Sequence, residues 1–183
     1  MLFKPNLIVF LQRNGLLIAG RRMKPARFTF ADDVIHNLEV EQRDKLVSSS
    51  AQFFKDNNLH GKRVLLVLDY SVVFEKTVEL DKTGQPDKLL AGFVAAMPFS
   101  AGSRACLGVE TGSQLRLFAT NAAVYQAIND ALQQAGVGSV SAVTPIAAYS
   151  LGDTERTVNA ATEHILKDMS IEKQANFMDV TAS

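Results

Sequence analysis

"VLLVLDYSVVFEKTVEL", residues 64–80, decides how this chain is read. An apolar run from Val64 to Leu68 ends at Asp69-Tyr70-Ser71, and a second strand-like run follows at once. An acid at the end of a buried strand is where many enzymes hold a metal or a phosphate, and it is also where a plain hairpin turns. Asp and Ser favour such turns because their side chains bond nearby backbone N–H groups. No second carboxylate lies close in sequence to share a metal or a proton, so Asp69 reads as turn chemistry. Past the turn, Val72, Phe74, Lys76, Val78 and Leu80 point one way and Ser71, Val73, Glu75, Thr77 and Glu79 the other. The first set reads as the buried face, with Phe74 in the core. Val73 is the apolar member of the polar face. It reads as a pocket residue, an isolated exposed valine, or part of a second buried face.

The elements around this stretch mix hairpins and helices. "LIVFLQRNGLLIAGRR" (7–22) is two apolar runs around Asn14-Gly15, which suits a type I′ hairpin turn. "RFTFADDVI" (27–35) adds an extended segment. In 41–58, Leu46, Val47, Ser50, Phe53 and Phe54 share one helical face. "DKTGQPDK" (81–88) is a loop, and a short helix over 87–99 stops at Pro98. Strands follow at 104–110 and 114–120, joined by Thr111-Gly112-Ser113. The helix over 121–136 has a cap at Thr120 or Asn121 and a closing glycine at Gly136. A strand over 140–149 is broken at Pro145. A final helix from Asp153 turns Val158, Ala161, Ile165 and Met169 inward, and "NFMDVTAS" is a frayed tail. Such an order argues α+β rather than a doubly wound parallel sheet.

Bulk properties narrow the function classes. The 183 residues suffice for one well-cored domain or two small subdomains. Lys+Arg and Asp+Glu are balanced at 19 each, so no overall field draws nucleic acid or anionic lipid. The lone Cys106 excludes an internal disulfide and fits a reducing compartment. No apolar run reaches the roughly 18–20 residues of a membrane span. The opening "MLFKPNLIVFLQRNG" resembles a signal peptide, but Gln12, Arg13 and Asn14 stand where small residues should precede cleavage. A first β-strand and a cytoplasmic protein are the expectation.

The chemical motifs are few. His36, His60 and His164 lie far apart without ligand-spaced partners, so no metal site is expected. Ser103 in "SAGSRAC" lacks a G-x-S-x-G elbow, and Cys106 falls mid-strand, where a thiol is a small hydrophobe. "GVGSVS" (136–141) follows a helix and precedes a strand, the reverse of a phosphate-binding order. The basic cluster Arg21, Arg22, Lys24 and Arg27 has no interleaved aromatics and reads as a solvated hairpin edge.

Over about half of the chain the elements resemble a known family. "KRVLLVLDYSVVFEKTVEL" is similar to a strand–turn–strand of PilM, the actin-like protein of type IV pilus assembly, with Ser71, Val72, Phe74, Lys76, Val78, Glu79 and Leu80 at matching positions. Met97-Pro98-Phe99 resembles the family's "IPf" helix end. Ala135-Gly136, Val143, Pro145 and Ala147 match its later helix–strand pattern. Two departures stand beside the matches. The turn "LQRNG" lacks the Asp-x-Gly of an actin-like phosphate loop, and the sequence after about residue 150 holds one helix where a second lobe should start.

The resemblance implies an α+β fold of hairpin-containing mixed sheets with helices packed on one side, a partial actin-like architecture of PilM/FtsA type. It implies one compact domain over 1–183. Its parts are an opening hairpin segment (1–35), a PilM-like inserted subdomain (36–149), and a C-terminal helix and tail (150–183). It further implies a non-catalytic cytoplasmic scaffold, without cofactor, metal or nucleic acid. Its partner would be the cytoplasmic N-terminal segment of a membrane-anchored PilN-like protein of a pilus or type II secretion-like system, with the scaffold at the inner face of the membrane through that partner. In the family the partner peptide lies in a groove between the opening lobe and the inserted subdomain. Here that groove would fall between the hairpin 7–22 and strands near 72–80, with Val73, Glu75 and Thr77 as partner-binding residues. Self-association, an ATPase subunit completed by another chain, and a small-molecule enzyme with an unrecognised pocket stay open as alternatives.

Overall fold

The computed structural model describes residues 5–21, 23–80, 85–100, 102–149, 151, 158–168 and 170–180. The chain begins with β1 (Leu7–Gln12), β2 (Gly15–Gly20), β3 (Ala26–Thr29), the two-residue strands β4 (Ile35–His36) and β5 (Glu39–Val40), and helix α1 (Arg43–Asp56). Next come β6 (Arg63–Leu68), a 3-10 turn at Tyr70–Val72, β7 (Phe74–Glu79), α2 (Pro86–Ala95), β8 (Arg104–Thr111) and β9 (Gln114–Asn121). The remainder is α3 (Ala122–Gln134), β10 (Ser139–Pro145), a 3-10 turn at Ile146–Tyr149, α4 (Val158–Lys167), the short α5 (Ile171–Gln174), and a last 3-10 turn at Phe177–Asp179.

Five strands form the larger sheet in the order β10-β6-β1-β2-β3. β6 lies parallel to both β1 and β10, and β2 is antiparallel to β1 and β3. Parallel strands at the centre of a sheet are covered on both faces, so they read as unbroken apolar runs. Val64 to Leu68 are all fully buried. Val64, Leu66 and Leu68 join Val9, Leu11, Leu16 and Ile18 against Leu46 and Phe54 of α1 and Ile128 and Leu132 of α3. Leu65 and Val67 join Ile8, Phe10 and Leu17 against Ile165 and Leu166 of α4. The expectation of helices on one side is therefore corrected: the larger sheet carries them on both faces. The mixed α+β class stands.

The opening hairpin turns one residue earlier than its sequence suggests. Gln12 pairs with Gly15, so the loop is Arg13-Asn14, and neither residue has a positive φ. Gly15 serves a close approach instead, because a Cβ there would collide with the carbonyl oxygen of Phe28 on β3. The two positive-φ residues that a type I′ turn needs are Asn37 and Leu38, in the small β4–β5 hairpin.

β7, β9 and β8 form a second, antiparallel sheet inserted between β6 and α3. Residues 36–149 thus supply strands to both sheets. α2 packs on one face of β8 and β9 through Phe93, with Met97 just beyond its end. β7 is an edge strand that α2 does not cover fully, and this corrects the placement of Phe74. Phe74 is 39% exposed and meets Phe99 edge-on, its ring centroid 5.6 Å away. The entry and exit of this sheet are tied where Thr120 Oγ1 donates to Val72 O at 2.7 Å.

The C-terminal tail is also corrected. Phe177 is fully buried beside Tyr125, and Asn176 Oδ1 accepts from Val143 N on β10 at 2.9 Å. That side chain supplies a main-chain partner for the outermost strand, which pins the segment. On α4, Ala161 and Ile165 are buried and Val158 is half-buried. Asp153, Met169 and residues 181–183 lie outside the described residues, as do 81–84 of the expected loop.

Candidate functional site

Asp69 is a turn cap. Its Oδ1 accepts from Ser71 N at 3.0 Å, and its own N–H donates to Leu11 O at 2.9 Å. Ser71 Oγ in turn accepts from Arg13 N at 3.0 Å, which locks the end of β6 to the β1–β2 loop. The chain then leaves the larger sheet and enters β7, whose register on β9 sets Glu75 opposite Phe118, Thr77 opposite Arg116 and Glu79 opposite Gln114.

Because side chains alternate along a strand, these three polar residues share one face with Arg116, Phe118 and Gln114. That face looks onto Ala148 and onto Ile171, Gln174 and Ala175 of the C-terminal segment, across a cleft of ≈ 530 Å³. Glu75 and Thr77 line it. Val73 precedes β7, is half-buried against the core, and is not among the lining residues. The far wall comes from residues 148 and 171–175, where the sequence suggested the hairpin 7–22.

Arg116 organises the cleft. Its Nε and Nη2 donate to Glu75 Oε1 at 3.2 and 2.7 Å, and Nη2 also donates to Ala147 O at 2.7 Å. The guanidinium carbon sits 5.2 Å from the centre of the Phe118 ring, within cation–π range. One side chain thereby joins the small sheet to the turn that follows β10. Gln114 Nε2 donates to Glu79 Oε1 at 2.6 Å and closes the far end of the face. The floor thus sets fixed polar groups beside the half-buried apolar side chains of Val109 and Ile171, which suits an extended chain with apolar anchors.

Sequence reasoning missed Arg116, Ile171 and Gln174. Arg116 stands between Leu115 and Leu117 as a charged residue on a strand, a sign of an outward position. Its pairing with Glu75, 41 residues earlier, becomes visible only with the register.

The other chemical motifs find structural roles. Cys106 is buried, and burial pushes its thiol up to about 11. Ser103 Oγ donates to Ser100 O at 2.8 Å in the loop before β8. Gly136 has φ +75° at the end of α3, and a Cβ there would strike the His60 ring. Arg21, Lys24 and Arg27 are exposed beside or on the edge strand β3, and Arg22 lies outside the described residues. Among the described residues no group of three His, Cys, Asp or Glu side chains could hold a metal ion, and no helix is long and apolar enough to cross a membrane.

No protein-family profile matches the chain, and no curated protein matches it. Solved structures do. The chain is similar to the cytoplasmic domain of EpsL, an inner membrane component of the type II secretion system of Vibrio cholerae. There the TM-score is 0.50 at 12% identity, over 78% of this chain and 58% of that one. It is also similar to a chain of the PilM–PilN type IV pilus biogenesis complex, with TM-score 0.53 at 15% identity, over 82% of this chain and 50% of that one. The chain thus spans about half the length of each, and what it shares with them is the fold.

Proposed function

We propose that this protein is a non-catalytic assembly scaffold. In its cleft beside β7 it holds the cytoplasmic N-terminal segment of a membrane-anchored, PilN-like partner in a pilus or type II secretion-like machine. The observation that carries the reading is the fold held in common with the EpsL cytoplasmic domain and with a chain of the PilM–PilN complex. The cleft supports it, because its floor offers half-buried apolar side chains at Val109 and Ile171 beside fixed polar groups. Glu75 and Thr77 are the proposed contacts on the cleft floor, and Val73 the proposed contact at the upstream end. In this reading residues 1–183 act as one body, held at the inner face of the membrane by the partner. The opening segment (1–35) and the C-terminal segment (150–183) then brace the part between them.

The test is a labelled peptide copying the first cytoplasmic residues of a one-span membrane protein encoded beside this chain. Fluorescence anisotropy should show micromolar binding that weakens about tenfold, roughly 1.4 kcal/mol, on Thr77→Arg, with unchanged circular dichroism. Absence of binding at millimolar peptide overturns the reading. A micromolar affinity for ATP-Mg by calorimetry overturns its nucleotide-free part.

A further inference from the structure

β7 has a second exposed feature besides the side chains that face the cleft, namely its open edge. Leu80 N donates to Ser113 O at 2.6 Å, in register with the Glu79–Gln114 pair. Hydrogen-bonded pairs in an antiparallel ladder recur at every second residue. Phe74, Lys76 and Val78 therefore turn their main-chain groups toward β9, and Glu75, Thr77 and Glu79 turn theirs outward. No described strand pairs with that edge.

The side chains of Phe74 and Lys76 point to the opposite face, into a groove of ≈ 570 Å³ against α2. Lys88, Gly92, Phe93 and Met97 form its other side. Phe74 leaves 39% of its surface there in solvent. Gly92 sits inside α2, where glycine weakens a helix relative to alanine. Nothing in the fold calls for it, since an added Cβ would meet no atom within 4 Å. The space above Gly92 is thus kept open at the helix's expense.

Charge selects the occupant. Lys76 and Lys88 line the groove beside Glu75, and neither lysine forms an ion pair among the described residues. On the other face Glu75 is bound by Arg116, and Glu79 by Gln114. In the two most central registers a second copy fits poorly. Pairing β7 with itself about Thr77 sets Glu75 opposite Glu79, and pairing about Lys76 sets lysine opposite lysine, like-charge pairs that destabilise a ladder.

We propose that the β7 edge accepts an added strand from an acidic, extended partner peptide of the pattern apolar–x–acidic–x–apolar. Its main chain bonds to Glu75, Thr77 and Glu79, its carboxylate lies between Lys76 and Lys88, and an apolar side chain covers Gly92 against Phe74 and Phe93. Strand addition draws affinity from main-chain bonds and specificity from alternate side-chain pockets. The edge shares Glu75 and Thr77 with the cleft beside α5 but uses their main chain, and it stands whether or not that cleft has a partner.

The experiment titrates the full chain with a synthetic peptide alternating threonine with leucine, glutamate and valine in that pattern, against the same peptide with lysine for glutamate. The expected result is saturable binding of the glutamate peptide, with slowed amide exchange at Glu75, Thr77 and Glu79. Gly92→Leu should weaken it at least tenfold without altering the unfolding midpoint by more than a helix substitution does. Lys76→Glu should weaken it similarly and gain binding of the lysine peptide. Gln174→Arg, which alters the α5 cleft and lies off the β7 edge, should change it less than threefold. No saturable binding, binding indifferent to both Gly92→Leu and Lys76→Glu, or an edge buried by self-association in sedimentation overturns the proposal.

Discussion

Arg116 and Glu75 form an ion pair at 2.7 Å across neighbouring strands, and the same guanidinium nitrogen donates to the carbonyl of Ala147. The two bonds have different worth. The pair with Glu75 is partly solvated, and such pairs contribute up to about 1 kcal/mol. The bond to Ala147 holds two parts of the fold together, and its loss leaves a half-covered carbonyl unpaired. Arg116→Ala should therefore cost about 1–2 kcal/mol, and Glu75→Gln less than about 1 kcal/mol. Urea denaturation of both variants checks the order.

Phe74 and Phe177 are expected to behave oppositely on truncation. Phe177→Ala removes a fully buried ring and should cost about 3–5 kcal/mol. Phe74→Ala removes an exposed ring with one aromatic neighbour and should cost about 1 kcal/mol. Equal midpoints for the two variants would contradict the edge position of β7.

Glu172 is buried, its Oε1 has no hydrogen-bond partner, and burial raises its pKa above the ordinary carboxylate value. A carboxyl raised in the folded state favours folding while protonated, and that contribution is lost as pH rises through the folded value. Glu172→Gln should then be more stable than the parent at pH 7, and the gap should close as pH falls toward about 4, the unfolded carboxylate range. Thermal melts across that window measure it.

Gly92→Ala should stabilise the protein by about 0.5–1 kcal/mol, the helix-propensity difference, since the new methyl group meets nothing. Chemical denaturation is the measurement.

The thiol of Cys106, pushed up to about 11 by burial, should be inert to alkylation at pH 8 in the folded protein. It should react as soon as denaturant unfolds the chain, which mass spectrometry of the labelled protein reads directly.

Local patterns carried much of the fold. Asn121 caps α3 by accepting from Ala123 N at 2.9 Å, and Gly136 closes that helix, as their positions in the sequence indicate. β8 and β9 were legible because a tight turn at Gly112-Ser113 joins them. What could not be read was long-range. Periodicity gave β7 two faces, but only its edge position decides that Phe74 stays wet. The unbroken run Val64–Leu68 announced burial, but α4, which covers its second face through Ile165, begins some 90 residues later. The cleft followed the same rule: Glu75 and Thr77 were visible as the polar face of a strand, and Arg116 and Ile171 came from segments that no local signal linked to them.

The parallel pairing of β10 on β6 joins residues as distant as Arg63 and Ser139, 76 positions apart. A ribosome therefore releases β6 long before its outer neighbour exists. Until Ser139–Pro145 has emerged, "VLLVL" stands at a sheet margin with apolar side chains on both faces, the composition that promotes intermolecular β pairing. The late arrival of one strand makes the nascent chain, rather than the finished protein, the form most exposed to aggregation and most in need of a chaperone.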